Sequence, residues 1–419
     1  MIVLTGSTGG IGRAALQTLL SEKLVPVSEL RISAYNTAAI PTAVRETGIE
    51  IRKGNLYEPS TLVESYSGAE VLFLVSFPSM GEERYKLHRN AIDAAKAAGV
   101  RHIIYTSLSF CGGAEGNTSV AQVAQAHLLT ERYLKDSGMT YTILRMASYS
   151  HLWNNYAGFL KLDAAPDVVQ EAVLPNDGLE HWANRAELGE ATARVIANWQ
   201  NYINRTLNFT GPELLTGVDI IKKYMKHTGR KVNVRVLPVE EAIAWHVKNG
   251  SVPPEQASFL ENWASWHTAI SLGEKAFLDP TLEQLLGRKP KTIDDQAADI
   301  FSASHGLDTK DLVELGLILG GTPQTTFCDL LGSSEHIVGA LHEYSQRPVF
   351  RSRNPSLRSR DELYQRKLRD MLVSNALPKL CDKTFKVFVE RVFPFEQIVQ
   401  AHQLLESGSS KGKIIMKIE

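Results

Sequence analysis

The clearest chemistry lies in the glycines near the start of the chain. In Met1-Ile-Val-Leu-Thr-Gly6-Ser-Thr-Gly9-Gly10-Ile-Gly12 an apolar run, residues 2–4, leads into glycines spaced GxxGxxG, and an amphipathic stretch, residues 13–20, follows. A strand feeding such a turn into a helix suits a dinucleotide pyrophosphate; an ordinary glycine turn is the plainer alternative. Gly6 permits the tight turn, Gly9 lets the backbone approach the phosphates, and Gly12 lets the helix pack closely on the strand. The helix start then offers free N–H groups and the positive end of its dipole. The expected cradle is Gly6, Thr8, Gly9, Gly10, Ile11, Gly12 and Arg13.

Specificity is read where strand two ends, beside the adenosine ribose. A carboxylate there would bond the 2′-hydroxyl and favour NAD(H). Here the residues are Ala34-Tyr35-Asn36, which place no acid against a 2′-phosphate, and Arg13 supplies a cation. NADP(H) is therefore preferred, with NAD(H) as the alternative. Asn55, after strand three, is expected at the adenine. Ser76, Phe77 and Pro78, after strand four, are expected along the middle of the cofactor. Thr106 and Ser107 are placed at the nicotinamide ribose, and Met146, Ala147 and Ser148, following Arg145, near the nicotinamide. Hydroxyls at strand ends also commonly cap neighbouring helices.

Proton chemistry is less plain. Short-chain reductases carry a Tyr-x-x-x-Lys pair on the helix after strand five, the tyrosine giving the proton and the lysine lowering its pKa. Residues 119–135 lack it: Val123 falls at the tyrosine position and His127 at the lysine position, with Glu131 on the same helix face one turn on. His127 is thus a candidate donor to ribose or substrate, or else a partner of Glu131. Tyr149, past strand six, is a second candidate proton donor. His151, Trp153 and Tyr156 are candidates for the substrate pocket because aromatic rings stack on flat apolar ligands; they serve equally as packing residues of a lid.

Other chemistries find little support. No GxSxG stands on a strand-to-helix elbow, the chain has no HExxH or paired CxxC, and His181, His227, His246 and His267 are isolated, so no metal is expected. With 45 basic against 46 acidic residues, a nucleic-acid or anionic-membrane surface is disfavoured. No apolar run approaches the roughly 18 residues that span a bilayer. Cys111, Cys328 and Cys381 are few, odd in number and far apart, as in a reduced cytoplasmic protein, and Cys111 reads as a buried bystander. No signal peptide precedes the first strand, and a monomer or homodimer acting on a small molecule is expected.

The elements that must position these residues alternate. Strands are expected at 2–4, 30–34, 49–53, 71–76, 103–107 and 141–145, with helices at 13–20, 61–66, 83–98 (closed by Gly99) and 120–137. The pattern implies an α/β, Rossmann-type doubly wound parallel sheet with ligands beyond the carboxyl ends of the strands. Beyond Arg145 the pattern loosens, through an aromatic run at 151–162. Helices follow at 185–199, 218–228, 240–249 and 256–268, with strands at 206–210 and 232–237, elements split from the main sheet that would build a small α/β lid. Glycine-rich 316–321 and basic, serine-rich 347–360 read as connectors. Order returns with strand-like 386–392, helical 395–406 and strand-like 413–418. The expected organisation is a domain over 1–306, in which residues 1–150 bind cofactor and residues 151–306 form the lid, then a linker at 307–355 and a C-terminal extension at 356–419.

Residues 1–306 resemble the NmrA-like branch of atypical short-chain dehydrogenases, especially its NAD(P)H:quinone oxidoreductases. The matching stretches are Gly6-Ser-Thr-Gly9-Gly-Ile-Gly12, His88-Arg-Asn-Ala-Ile-Asp-Ala-Ala-Lys-Ala-Ala-Gly99-Val, Tyr105-Thr-Ser-Leu108, Asp136-Ser-Gly138-Met-Thr-Tyr-Thr-Ile-Leu-Arg145, and Arg185-Ala-Glu187 ahead of Ala191-Thr-Ala-Arg-Val-Ile196. The resemblance implies a Rossmann fold, a small lid and NADP(H) binding, without the Tyr/Lys pair. Quinone-type members often carry Arg-Asn where this chain has Tyr35-Asn36. The tail, with Leu357-Arg-Ser-Arg-Asp-Glu-Leu, residues 388–408 and Gly412-Lys-Ile-Ile-Met-Lys-Ile, resembles the end of zinc-free medium-chain quinone reductases, without that family's glycine motif.

Three functions follow as expectations: hydride transfer from NADPH to a quinone or conjugated carbonyl, tailoring of a bulky secondary metabolite by reduction, isomerisation or cyclisation, and non-catalytic sensing of NADP(H).

Overall fold

The computed structural model describes residues 1–79, 81–109, 112–252 and 259–302, with the strands 389–394 and 413–417. From the N-terminus run β1 (Ile2–Leu4), α1 (Gly10–Ser21), β2 (Leu30–Ala34), α2 (Thr42–Arg45), β3 (Glu50–Lys53), α3 (Pro59–Tyr66), β4 (Val71–Leu74), α4 (Gly81–Ala97), β5 (His102–Leu108), α5 (Gln122–Asp136) and β6 (Thr140–Met146). The chain continues with β7 (Ser148–Tyr149), α6 (Trp153–Tyr156), β8 (Gln170–Pro175), β9 (Glu180–Ala183), α7 (Arg185–Ala197), β10 (Arg205–Phe209), β11 (Leu214–Leu215), α8 (Gly217–Thr228), β12 (Val232–Leu237), α9 (Val239–Asn249), α10 (Phe259–Ser271), α11 (Thr281–Leu286) and α12 (Ala297–Ile300).

The main sheet is seven-stranded, in the order β10-β6-β5-β4-β1-β2-β3, and every pairing in it is parallel. Its central strands β1 and β4 are short apolar runs because both faces are covered. The two-residue period sorts them into separate cores: Ile2, Leu4, Val71 and Phe73 pack with α1 and α7 residues such as Leu16 and Leu188. Val3, Leu72 and Leu74 pack on the other face with Leu62, Ile92 and Leu134. At about 1.5–3 kcal/mol for each fully buried large apolar side chain, β4 alone gives both layers a firm anchor. The strand order reverses between β1 and β4, and that switch point opens the crevice in which such folds bind ligands.

One expectation for the sheet is corrected. The loosened pattern after Arg145 assigns strand 206–210 and helix 185–199 to the lid. Instead β10 pairs in parallel with β6 from Arg205↔Thr142 to Phe209↔Met146, and α7 lies against α1. A Cβ at Gly189 would come 2.3 Å from that of Ala14, so the glycine permits the close approach. The polar residues of this stretch mask its place in the sheet: Asn208 sits mid-strand yet is buried at the sheet's edge.

The lid is built from the three-stranded sheet β11-β9-β7 and the parallel pair β8–β12. Trp153, Tyr156, Trp182, Tyr224, Trp263 and Trp266 fill its core. Of the helix expected at 256–268, the described part is observed in α10, which runs on to Ser271. The chain divides into two compact units, Met1–Gly320 and Gly321–Glu419. In the second, β13 (Val389–Pro394) and β14 (Lys413–Lys417) pair in parallel. The expected helix at 395–406 and all three cysteines lie outside the described residues.

Candidate active site

The glycine turn has the geometry its sequence requires. Gly6 has φ +62°, and a Cβ there would lie 2.8 Å from Val75 Cβ. A Cβ on Gly12 would come 2.3 Å from Gly6 O, so only glycine lets α1 start this close to the turn. The Gly9 N–H closes the turn onto Gly6 O at 2.9 Å. The N-cap of α1 is Gly9, which has no side chain to cap the helix, and no acid stands in the first turn. A helix start of this kind beside a glycine turn at the switch point fits a pyrophosphate. Arg185, the first residue of α7, lies over this turn: a Cβ at Gly10 would meet its Cδ and Nη1 at 2.9 Å. The sequence shows Arg185 within a motif but gives it no role, because α7 reaches α1 only through the tertiary fold.

Backbone ends at the switch point are tied together. Thr5 Oγ1 donates to Phe73 O and accepts from the Val75 N–H, both at 3.0 Å. Thr106 Oγ1 accepts from the Ser76 N–H at 2.8 Å, joining the ends of β4 and β5. Phe77 meets Tyr57 edge-on at 5.8 Å, and Pro78 follows, half-buried. Past the end of β2 Tyr35 is 51% exposed and Asn36 Oδ1 accepts from the Ala38 N–H at 3.0 Å, while Arg13 and Thr8 at the glycine turn are exposed. Asn55 is buried, with Oδ1 accepting from the Tyr57 N–H at 3.1 Å. Ile11 packs inward.

A buried polar network joins α4, α5, β5 and β6. His127 does not pair with Glu131, which the helix spacing offered as one alternative. Glu131 turns to Arg145, which holds it through Nη2 at 2.8 Å and Nε at 3.1 Å. Ser107 donates to the same carboxylate at 2.6 Å. His127 instead receives Arg84 Nη1 at Nε2, 2.9 Å away, and meets Tyr105 Oη through Nδ1 at 2.8 Å. A guanidinium only donates, so Nε2 of His127 is the acceptor and Nδ1 carries the proton. His88 is fixed in the same tautomer: its Nε2 accepts from the Phe77 N–H at 2.9 Å, leaving Nδ1–H for Thr130 Oγ1 at 2.9 Å. Burial, Arg84 and His88 hold His127 well below the ordinary imidazole range, and burial and then Arg84 do the same to His88. Burial pulls Arg84 down to about 10, against the opposing influence of Tyr105 and Tyr149.

The lid side holds a second cluster. Ser148, after β6, accepts from Lys275 Nζ and donates to Glu180 at 2.9 Å. Lys275 also pairs with Glu180 at 2.8 Å, although both side chains are almost wholly buried. Burial pushes the Glu180 carboxyl up against the pull of Lys275. Met146 and Ala147 are buried, and Ala147 N–H bonds Phe209 O at 3.0 Å. Tyr149 stacks on His151 with centroids 5.8 Å apart. Trp153 is fully buried, its indole donating to Ile300 O at 2.8 Å, and Tyr156 lies between Trp182 at 4.8 Å and Trp266 at 5.3 Å. The structure thus brings Tyr149 toward Arg84, whereas Trp153 sits in the lid core. Arg84 and Lys275 carry no sequence signal: each looks like a surface charge until the fold buries it.

Comparisons with known proteins agree with this architecture. The NmrA-like family matches residues 1–291, and a zinc-binding dehydrogenase family matches residues 326–416. The chain is 30% identical over 308 residues to quinone oxidoreductase 2 of Escherichia coli K12, covering 73% of this chain and all of that protein. It is 30% identical over 292 residues to the NmrA-like family domain-containing oxidoreductase flvB of Aspergillus flavus, covering 69% and 91%. The Escherichia coli NADPH-dependent quinone oxidoreductase, solved with NADPH, superposes with TM-score 0.62 at 29% identity, covering 72% and 100%. Citrobacter sp. triphenylmethane reductase with NADP(H) gives 0.60 at 27%, covering 72% and 100%. The glycine turn, the parallel sheet reversing at it and a match across residues 1–291 place this chain in the NmrA-like family.

Proposed function

We propose that the protein is an NADPH-dependent oxidoreductase that passes hydride to a quinone or another conjugated carbonyl. The observation that carries this reading is the glycine turn: crowded Gly6 and Gly12 at the glycine-capped start of α1, with Arg185 across it, at the switch point of the sheet. The quinone oxidoreductase and triphenylmethane reductase relatives support the reaction class.

The residues of this chain divide the work. The turn from Gly6 to Gly12 and the α1 dipole hold the pyrophosphate, and Arg185 adds charge. The carboxylate-free end of β2, at Tyr35-Asn36, leaves room for a 2′-phosphate beside Arg13. Bound NADPH supplies the hydride. Ser76–Pro78 and Met146–Ser148 wall the reacting end, and the tie between Thr106 and Ser76 fixes that wall. Tyr149 and His151 offer a stacked aromatic face to a flat acceptor. A quinone demands little general acid, since the reduced oxygens protonate readily from water, which suits a site without the Tyr/Lys pair.

A second reading, tailoring of a bulky metabolite on the same cofactor, rests on the aromatic run at 151–162. Loss of reduced-nicotinamide absorbance across a panel of para-quinones and enones tests the first reading. Turnover of the quinones with NADPH, faster than with NADH, is the expected result; tight NADPH binding with no acceptor reduced would contradict it and leave a sensing role.

A further inference from the structure

Resting on that reading, we propose that Arg84 is the group that takes up the negative charge developing on the oxygen of the hydride acceptor, and that His127 positions it.

Arg84 stands in the first turns of α4, which begins beyond the carboxyl end of β4, and is 3% exposed. Burying a guanidinium costs several kcal/mol unless an anion meets it, and buried arginines in folded proteins almost always meet one. Glu131 satisfies Arg145 and Glu180 satisfies Lys275 in just this way. Among the described residues no carboxylate lies within ion-pair distance of Arg84. Its neighbours are the neutral His127 ring and the phenols of Tyr105 and Tyr149, and its Nε has no hydrogen-bond partner. A buried cation whose Nε–H has no hydrogen-bond partner, beside the residue at the lysine position of the missing pair, suits an anion that arrives with the reaction.

That anion is the product of hydride addition. With a carbonyl, a C–H bond forms at the carbonyl carbon and the C=O π pair moves onto oxygen; with a quinone, an O–H bond forms at one oxygen, the ring π electrons shift and the far oxygen becomes a phenolate. In both cases the two electrons leave the reduced nicotinamide oxidised. The guanidinium keeps all its protons and offsets the charge; the oxyanion takes its proton from water as product leaves. Charge stabilisation of this kind needs no acid and is worth most in a dry site. His127 has no acidic proton to give, because Nε2 holds Arg84 and Nδ1–H meets Tyr105. Its contribution is to aim the guanidinium. The substrate class that fits is a carbonyl or quinone whose oxygen becomes a full or partial anion.

The test compares wild type with Arg84→Met and Arg84→Lys. Arg84→Met should lower kcat about 100-fold, the usual effect of losing one oxyanion donor, leave NADPH affinity within about twofold by calorimetry, and leave Tm equal or higher because an unmatched buried charge is gone. Arg84→Lys should recover at least about tenfold of the lost kcat. An unchanged kcat in Arg84→Met, or a collapse of Tm and NADPH binding together, would overturn the proposal. A second measurement does not need turnover: para-nitrophenol titrated into the protein with NADP⁺, read by phenolate absorbance. Wild type should bind it as phenolate below its solution pKa, and Arg84→Met should bind at least about tenfold more weakly. If no quinone is reduced yet this difference appears, the reaction reading fails and the Arg84 anion site stands. Equal phenolate binding by both proteins would sink the site.

Discussion

Arg84 of α4 donates to Nε2 of His127 on α5 across 2.9 Å, joining residues 43 positions apart on two packed helices. The bond fixes the tautomer of the ring and the direction of the guanidinium together. His127→Ala should therefore lower kcat several-fold while NADPH affinity stays within about twofold. His127→Gln, whose amide oxygen still accepts from Arg84, should restore most of that loss. Steady-state kinetics and calorimetry on the pair of variants check this; wild-type kcat in His127→Ala would leave the ring as scaffold alone.

Gly12→Ala places a methyl 2.3 Å from Gly6 O, where only backbone can yield. The turn must open, and the N–H groups it presents lose their aim. NADPH binding measured by calorimetry should fall at least about tenfold. Gly9→Val, which blocks the backbone approach to the phosphates, should do the same. Unchanged affinity in both would remove the cofactor from this turn.

Glu131→Ala removes the carboxylate that Nη2 and Nε of buried Arg145 both bond. Removing one member of such a pair typically costs about 3–5 kcal/mol. Urea unfolding should show a loss of that size, and a loss under about 1 kcal/mol would mean that water reaches Arg145.

Acid should destabilise the fold before the carboxylates titrate. Burial holds His88, His127 and His181 well below 6.5, His102 at about 4 and His267 at about 3. The unfolded chain takes up these protons near pH 6.5, and the folded chain does not. Stability is therefore full above about pH 7 and falls as pH drops below about 6.5, by about 1.4 kcal/mol per pH unit for each proton taken up on unfolding. The urea midpoint should already be lower at pH 5 than at pH 7. An unchanged or higher midpoint at pH 5 would mean that these rings are charged in the fold.

The amino-acid pattern makes the core of the fold legible. Apolar runs such as Val71–Leu74 and the glycines of the first turn are local signals, and strand positions near the switch point follow from them. The site's polar partners are legible only in part. His127 stands out by its place in a motif, yet its partners Tyr105 and Arg84 come from other elements, and Glu131, its neighbour on the helix, turns to Arg145. Lys275 and Glu180 meet across 95 residues. Which charges a fold buries is decided by packing between elements, and spacing along one helix does not report it. The same limit makes β10 and α7 look like lid elements, and makes Trp153 look like a pocket residue when its indole N–H is held by Ile300 O.

Hydride transfer is tested most directly by a single turnover. The protein loaded with NADPH, or with NADPH deuterated at the transferred position, is mixed with a para-quinone, and reduced-nicotinamide absorbance is followed. One equivalent of NADPH should be oxidised per site with hydroquinone formed, more slowly with the deuterated cofactor and about 100-fold more slowly in Arg84→Met. Bound NADPH that persists unoxidised in the presence of every quinone tried would contradict hydride transfer at this site.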